Sequence, residues 1–354
     1  MQFVDTILTG LGNIGRTLLE HLVAHSEHIS RRYGFALRVV GVADSSGVAF
    51  DANGLDLAAI IAAKRQQLGV ATLPAFRPDL DVVTLAATTP YDLLLEATPT
   101  NLRDGQPGLA IVRTALQRGK PVVMASKGPL VLAFAELAAL SDWADDLSPH
   151  SHRPALRFSG AVGGALPTIN FGRRDLAGAH IQRAELVVNS TTQIILEQMA
   201  AGASFTAALS EAQRQGIVEP DPSLDVDGWD AASKLVIFAN AVLEQPTTLA
   251  DVAVRGIRDV TPAELAAAWN AGGRVSLVAH AERQPEGHYA LTVAPTTLGP
   301  AHPLARLAHG EMGFVIYSDS AGRSTISSLE DGPLGTVQAM IRDVIDIIRR
   351  SSLT

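Results

Sequence analysis

The first half of the chain alternates short apolar runs with stretches of helical spacing. Residues 3–9 form an apolar run that predicts a buried strand, and the run ALRVVGVAD, which ends at Asp44, predicts a second one. Between them, apolar side chains recur at helical spacing from Asn13 onward. The runs DLLLEATPT and KPVVMAS predict two more buried strands, with the helical segment GLAIVRTALQRG between them. This alternation predicts a parallel sheet with right-handed crossovers.

The second half has a mixed order of elements. It follows the polar stretch SDWADDLSPHSHRP, which we predict to be a surface loop. Strand patterns in IQRAELVVNS, HYALTVAPTTL and MGFVIYSDSAG accompany helical patterns in TTQIILEQMAAG and SFTAALSEAQRQG. The last segment, GTVQAMIRDVIDIIRR, carries the apolar stripe of an amphipathic helix. These patterns predict a second sheet and a C-terminal helix.

Composition excludes several classes of protein. The formal charge of −8 over 354 residues leaves no basic block to neutralise phosphates, so we expect no nucleic-acid partner. The absence of cysteine excludes disulfides, thiolate catalysis and cysteine-ligated metals. The sequence shows neither a signal-peptide pattern nor an apolar run long enough to span a membrane. We therefore expect a cytoplasmic protein.

A glycine motif follows the first predicted strand. Gly10, Gly12 and Gly15 fit G-x-G-x-x-G between a strand and a helix, the context in which this motif binds a dinucleotide. The first glycine permits the turn, the second lets the backbone approach a pyrophosphate, and the third lets helix and strand pack closely. Asp44 ends the second strand, where a carboxylate can bond ribose hydroxyls. Asp44 favours NAD, while the two serines that follow it leave NADP open.

The segment VEPDPSLDVDGWDAASKLVIFAN carries five carboxylates and one lysine. If Asp227 caps the following helix, Asp230 and Lys234 lie on one face at i and i+4. The neighbours on that face are apolar, so burial would ease the loss of the lysine proton while the carboxylate opposes it. That balance favours a group that exchanges protons near neutral pH. A surface ion pair with no chemical role is the alternative.

Longer segments carry a resemblance to a known family. The segments GLGNIG, VVMASKGPL, AVGGALPTI, VVNSTTQIIL and, above all, SFTAALSEAQRQGIVEPDPSLDVDGWDAASKL resemble homoserine dehydrogenase. That family interconverts L-homoserine and L-aspartate 4-semialdehyde with NAD or NADP. The resemblance implies an α/β fold with a Rossmann-type parallel-sheet domain at residues 1–155 and an α+β substrate and dimerisation domain at 156–330. A C-terminal helix at 331–354 is then expected to return to the first domain, and the molecule is expected to be a homodimer.

The resemblance also implies roles for individual residues. Lys234 matches the lysine that exchanges the proton of the substrate hydroxyl, Asp230 the acid that supports it, and Lys127 a second lysine at the site. The residues implied in substrate binding are Glu219, Asp225, Thr191 and Thr192. Those implied in cofactor binding are Gly10, Gly12, Asn13, Ile14, Gly15, Asp44, Thr98 and Lys127. Backbone carbonyls of Ser159, Val162, Gly164 and Leu166 are implied in binding a monovalent cation, Na⁺ or K⁺.

The chain departs from the family pattern at several positions. Gln193 and Ile194 replace an Asn-Tyr pair close to the substrate, and Ser126 replaces an asparagine. Glu330 and Asp331 stand where a glycine-rich segment usually precedes the last helix. These departures leave open a related dehydrogenase of another hydroxy- or oxo-amino acid. A non-catalytic dinucleotide sensor on the same fold is a third hypothesis, which is disfavoured because a sensor would not need Lys127, Glu219, Asp225, Asp230 and Lys234 together. The regulatory domain of some family members is missing, so we expect no feedback inhibition by threonine through such a domain.

Overall fold

The computed structural model describes residues 2–145, 152–215, 221–330 and 332–351, which form two compact units. Unit 1 comprises Met1–Ala165 and Gly332–Thr354, and unit 2 comprises Leu166–Asp331. The elements of unit 1 that precede unit 2 along the chain are β1 (Gln2–Thr9), α1 (Asn13–Tyr33), β2 (Phe35–Asp44), β3 (Gly47–Phe50), α2 (Leu57–Arg65), α3 (Val82–Thr88), β4 (Leu93–Glu96), α4 (Gly108–Gln117), β5 (Val122–Met124), α5 (Gly128–Leu140) and β6 (Leu156–Arg157). Those of unit 2 are α6 (Thr168–Asn170), β7 (Ile181–Val187), α7 (Ser190–Ala200), α8 (Phe205–Arg214), α9 (Ser223–Val226), α10 (Trp229–Ala241), β8 (Val252–Val254), α11 (Pro262–Asn270), β9 (Arg274–Arg283), β10 (Tyr289–Leu298), β11 (Met312–Ser318) and β12 (Gly322–Ser328). Helix α12 (Leu334–Ser351) belongs to unit 1 again.

The sheet of unit 1 has the strand order β3-β2-β1-β4-β5-β6. All neighbouring strands are parallel except β3, which runs antiparallel to β2. Every residue of β4 and β5 is buried, as expected for the continuous apolar runs of strands covered on both faces. The chain adds strands to one side of β1 and then, from β4 onward, to the other side. The predicted Rossmann-type fold is therefore confirmed.

Helices α1 and α12 complete the core of unit 1. Helix α1 buries Leu18 and Leu19, and α12 buries Val337, Met340 and Val344 in the same hydrophobic cluster. These positions are the predicted apolar stripe of the last helix, which removes its apolar face from water by packing on α1. The predicted return of the C-terminal helix to the parallel-sheet unit is confirmed.

Two buried polar clusters tie α12 to the residues around β6. The side chain of Arg157 is 3% exposed and donates to Asp142 (2.8 Å) and Asp346 (3.0 Å). The carboxylate of Asp343 accepts from the backbone N–H (2.8 Å) and the hydroxyl (2.6 Å) of Ser159. Burial raises the pKa of Asp343 to about 6, against the opposing effect of these bonds. The predicted surface loop is wrong at Asp142, which is buried because it pairs with Arg157; residues 146–151 lie outside the described part of the chain.

The sheet of unit 2 has the strand order β12-β11-β7-β9-β10-β8. Its neighbours are antiparallel except β8, which is parallel to β10. Strand β9 lies inside this sheet and was not predicted. Residues 275–279 are all buried, but Ser276 interrupts the apolar run, so the segment shows neither an alternating pattern nor an unbroken apolar stretch. Helices α7 and α10 both contact β9. None of the helices among the described residues has the length and apolar character needed to span a bilayer.

Candidate active site

The residues predicted to bind a dinucleotide lie at the carboxyl ends of neighbouring strands of unit 1. The glycine turn follows β1, Asp44 ends β2, Thr98 follows β4, and Lys127 follows β5 at the N-cap of α5. Asn13 and Ile14 form the start of α1. The strand order reverses between β1 and β4, and open parallel sheets bind ligands at such a reversal. The structure therefore places these predicted residues along the sheet edge at which open parallel folds bind ligands.

The three glycines are required for different reasons. Gly10 has φ +90°, and a Cβ there would lie 2.6 Å from the Thr98 backbone nitrogen. A Cβ on Gly15 would overlap the carbonyl of Gly10. Gly12 has an ordinary φ of −72° and no protein atom within 4 Å of its Cβ position, and no side chain caps α1. Chain packing thus explains Gly10 and Gly15, whereas the open space at Gly12 fits a pyrophosphate against the helix N-terminus.

Asp44 has a cationic neighbour that the sequence did not reveal. Its side chain is 7% exposed and accepts from Lys64 Nζ (2.7 Å), Ser46 N (2.8 Å) and Ser46 Oγ (2.6 Å). Burial acts to raise the pKa of Asp44, but the bonds from Lys64 and Ser46 outweigh it and hold that pKa below its usual range. Lys64 lies in the last turn of α2, where a basic residue is common for helical reasons alone. Its pairing with Asp44 could be found only from the fold.

In unit 2, Lys234 and Asp230 pair on α10. Lys234 Nζ lies 2.8 Å from Asp230 Oδ2 and also donates to the carbonyl of Val188. The two side chains are 13% and 15% exposed, respectively. Neighbouring Ile237 and Phe238 are fully buried. The pair is therefore partly buried, unlike a surface ion pair.

Asn189 links this pair to Asp225, a carboxylate that we predicted to bind the substrate. Its Nδ2 donates to Asp225 Oδ1 (2.6 Å) and to Asp230 Oδ2 (2.9 Å), and its Oδ1 accepts from the Thr192 backbone N–H (2.8 Å). We call Asn189, Asp225, Asp230 and Lys234 the Asn189 cluster. Asn189 was missed by the sequence analysis, although an asparagine directly before the helical segment STTQIIL is a recognisable N-cap signal.

The structure places the other residues predicted to bind the substrate in different ways. Thr191 and Thr192 lie buried in the first turn of α7, directly after Asn189. Glu219 lies outside the described residues. The predicted capping of α10 by Asp227 is wrong, because the N-cap is Gly228, with φ +86°, and no side chain caps it. Asp227 instead pairs with Arg258, so the acid-rich segment has a second basic partner besides Lys234.

The departures from the family pattern lie elsewhere in unit 2. Gln193 is fully buried, and its amide donates to the Glu311 carbonyl (2.5 Å) and accepts from Arg274 (3.3 Å). Ile194 is also buried. The amide of Gln193 therefore bonds outside the Asn189 cluster, and its presence gives no support to a different substrate. Asp331 lies outside the described residues.

The residues implied in cation binding follow β6. Ser159 belongs to a short 3-10 helix, and its hydroxyl is bonded to Asp343. Val162 and Gly164 form the next turn, with φ +59° at Gly164, and Leu166 is buried. Their part in cation binding stays a prediction.

The fold and the two groups of side chains define a class of protein. A parallel sheet with an open glycine turn and an acid–lysine pair in a second unit are the features expected of a dinucleotide-dependent oxidoreductase. The homoserine dehydrogenase family model matches residues 167–345, and the model of the homoserine dehydrogenase NAD binding domain matches residues 10–146.

Individual proteins show the same similarity. The NAD(+)-dependent homoserine dehydrogenase of Pseudomonas canavaninivorans is 32% identical over 341 residues, 96% of this chain and 95% of that protein. The homoserine dehydrogenase of Methanocaldococcus jannaschii is 32% identical over 346 residues, 97% of this chain and 98% of that protein. A solved structure of a hyperthermophilic archaeal homoserine dehydrogenase mutant in complex with NADPH matches with a TM-score of 0.82 and 25% identity, covering 98% of each chain. The chain belongs to the homoserine dehydrogenase family.

Proposed function

We propose that this chain interconverts L-homoserine and L-aspartate 4-semialdehyde, with NAD as its preferred cofactor and Lys234 as the group that handles the hydroxyl proton. Membership of the homoserine dehydrogenase family supports the reaction. The pairing of Lys234 with Asp230 in a largely buried setting supports the residue assignment. The bound dinucleotide supplies the hydride acceptor.

The hydrogen bonds of Lys234 suit it to a substrate oxygen. An ammonium group has three donors, and the carboxylate of Asp230 and the carbonyl of Val188 accept two of them. The third is left for the C4 hydroxyl of homoserine. In the oxidation of homoserine, Lys234 first releases that third proton to solvent. Its neutral nitrogen then accepts the proton of the hydroxyl as the hydroxyl becomes a carbonyl, and Asp230 stabilises the ammonium that re-forms.

The acids of the same unit suit the other end of the substrate. Asp225 and Asp230 both accept from the single amide of Asn189, so two carboxylates stand together beside one lysine, which pairs with Asp230. We assign Asp225 and Glu219 to the substrate ammonium. Thr191 and Thr192 occupy the first turn of α7, where the helix N-terminus favours an anion, and we assign them to the carboxylate end of the substrate.

Asp44 supports the preference for NAD. A carboxylate at the end of β2 accepts from ribose hydroxyls and repels a 2′-phosphate. Lys64 reduces this repulsion because it balances the charge of Asp44 at 2.7 Å. We therefore propose that NADP is used less well than NAD but is not excluded. One relative is named NAD(+)-dependent, and another was solved with NADPH, so both occur in the family.

Further parts of the proposal follow from the family resemblance. Lys127 acts with the cofactor at the end of β5, Na⁺ or K⁺ is bound by the backbone carbonyls of Ser159, Val162, Gly164 and Leu166, and the molecule is a cytoplasmic homodimer. The cation is testable by exchanging K⁺ for choline in the assay, which should slow the reaction. The dimer is testable by sedimentation.

The reaction is tested by following the absorbance of reduced nicotinamide with purified protein, L-homoserine and either NAD or NADP. The proposal predicts homoserine-dependent reduction that is faster with NAD. L-serine and L-threonine serve as control alcohols, because their hydroxyls lie one carbon nearer to the ammonium. Reduction with a control alcohol but not with homoserine would instead identify a related dehydrogenase of a different amino acid.

A further inference from the structure

A carboxyl group is buried inside the parallel sheet at the point where the strand order reverses. Glu96 is the last residue of β4 and is 0% exposed. In the sheet it is paired with Thr9 of β1 on one side and with Met124 of β5 on the other. Its position is therefore the centre of the edge that carries the glycine turn, Thr98 and Lys127.

All hydrogen-bond partners of this carboxyl group among the described residues are neutral. Glu96 Oε1 accepts from the Thr98 backbone N–H (2.8 Å) and from the Thr98 hydroxyl, and Oε2 accepts from the Ser126 hydroxyl. Burial raises the pKa of Glu96, and the bonds from Ser126 and Thr98 oppose that rise. Burying a carboxyl group without a cation is unfavourable, and an apolar side chain would pack the same space at lower cost.

These bonds connect the loops of three strands. The Thr98 nitrogen that donates to Glu96 belongs to the Ala97–Thr98 peptide group, against which the turn at Gly10 packs. Ser126 directly precedes Lys127, the N-cap of α5. One carboxyl group therefore fixes the backbone after β4 and after β5, and through Thr98 it supports the glycine turn after β1.

We propose that Glu96 is a positioning residue for the dinucleotide, which acts by holding Thr98 and the Ser126–Lys127 backbone in the geometry that binds the cofactor. The inference rests on the proposed function, because Thr98 and Lys127 are cofactor residues only in that proposal. Glu96 itself is covered on all sides and does not touch the ligand.

The test is the dissociation constant of NADH, measured by fluorescence titration, for Glu96→Gln. Glutamine keeps the size of the side chain but has only one oxygen that accepts hydrogen bonds. Either Thr98 or Ser126 therefore loses its acceptor. We expect the dissociation constant to rise about tenfold, the effect of losing one hydrogen bond to a charged group. The KM for the cofactor should rise with it, while the KM for homoserine stays unchanged.

Asp142→Asn is the matched control, because Asp142 is also a buried carboxylate of unit 1. It is bonded to Arg157 and to the Leu156 N–H (3.1 Å), outside the strand-end loops. We expect it to lower the melting temperature and to leave NADH affinity unchanged. Wild-type NADH affinity in Glu96→Gln, or an equal loss in both variants, would overturn the positioning role.

Ser126→Ala tests the route of the effect and stands in for Glu96→Gln if that variant does not fold. It should weaken NADH binding about threefold or more, as expected for the loss of one hydrogen bond, and the double variant should bind no worse than Glu96→Gln alone. Unchanged binding in Ser126→Ala, or fully additive losses, would contradict action through Ser126. A wild-type protein that reduces neither cofactor with homoserine contradicts the proposed function; an active wild type with unaffected variants contradicts only the role of Glu96.

Discussion

At the scale of single residues, Asp44 shows how one neighbour alters the chemistry of a predicted position. The carboxylate lies at the predicted strand end, but Lys64, 20 residues further along, donates to it at 2.7 Å. The sequence contains both residues and no pattern that links them. The local charge at the end of β2 is therefore less negative than Asp44 alone would make it.

Removing either member of the Asp44–Lys64 pair should change the preference between NAD and NADP, in opposite directions for the two residues. Asp44→Ala should weaken NAD more than NADP, because NAD loses a ribose acceptor while NADP is relieved of repulsion. Lys64→Ala should weaken NADP more than NAD, because only NADP loses a cation near its phosphate. Each change in the NAD/NADP ratio of kcat/KM should be about tenfold, the effect of one charge-assisted bond. Parallel losses for both cofactors in either variant would mean that the pair does not face the ribose.

Asn189 donates to both Asp225 and Asp230, so if the Asn189 cluster binds the substrate as proposed, removal of this amide should weaken substrate binding. Asn189→Ala leaves Asp225 and Asp230 without their shared donor, so the two carboxylates repel each other and move apart. We expect the KM for homoserine to rise about tenfold with NADH affinity unchanged, as for the loss of a bond to a charged group. The variant also loses the acceptor of the Thr192 backbone N–H at the start of α7. Circular dichroism should therefore be used to check that it remains folded. A KM equal to that of the wild type would show that the cluster is not the substrate site.

At the scale of elements, prediction succeeded where an element is defined by its own residues. Strands β1, β2, β4 and β5 have apolar runs bounded by turn residues, and α12 has a continuous apolar stripe. The inner strand β9 was missed because its burial on both faces removes the alternation of a strand. The loop around Asp142 was predicted as exposed because its composition is polar, although Arg157 buries it by pairing. Composition does not report such distant partners.

The attachment of α12 gives a prediction at this scale. Arg157→Ala leaves Asp142 without its cation and Asp346 without a buried partner. The free energy of unfolding should fall by about 3–5 kcal/mol, as for breaking a buried ion pair. Arg350→Ala is the control, because Arg350 makes a more exposed pair with Asp346 at 3.3 Å and should cost less than about 0.5 kcal/mol. The free energy of unfolding is measured by urea denaturation. Similar decreases for Arg157→Ala and Arg350→Ala would contradict a stronger contribution from the buried pairs of Arg157.

At the scale of the whole molecule, the residues that we assign to the cofactor and to the substrate belong to two different compact units. The proposed dinucleotide residues lie at strand ends of unit 1, and the Asn189 cluster lies in unit 2. The sequence allowed the class of each unit and most of these residues to be predicted, because the glycine turn and the acid–lysine segment are local patterns. The bonds of Glu96 and Lys64 could not be predicted, because they join residues that only the fold brings near; for Asn189 the N-cap of α7 was predictable, but its bonds to Asp225 and Asp230 were not. This division implies that variants of unit 2 should leave cofactor affinity intact.

The most direct measurement of the central claim is the homoserine-dependent rate of Lys234→Ala beside its NADH affinity. We predict a fall in kcat of at least about a thousandfold, within the range lost with a proton-transfer group, and NADH binding equal to that of the wild type. Lys120→Ala is the matched lysine control and should retain turnover with NAD, because Lys120 lies over the ring of Tyr91 and belongs to neither group of proposed site residues. Turnover of Lys234→Ala near the wild-type rate, with homoserine and NAD at saturation, would contradict the assignment of Lys234 as the residue that exchanges the hydroxyl proton.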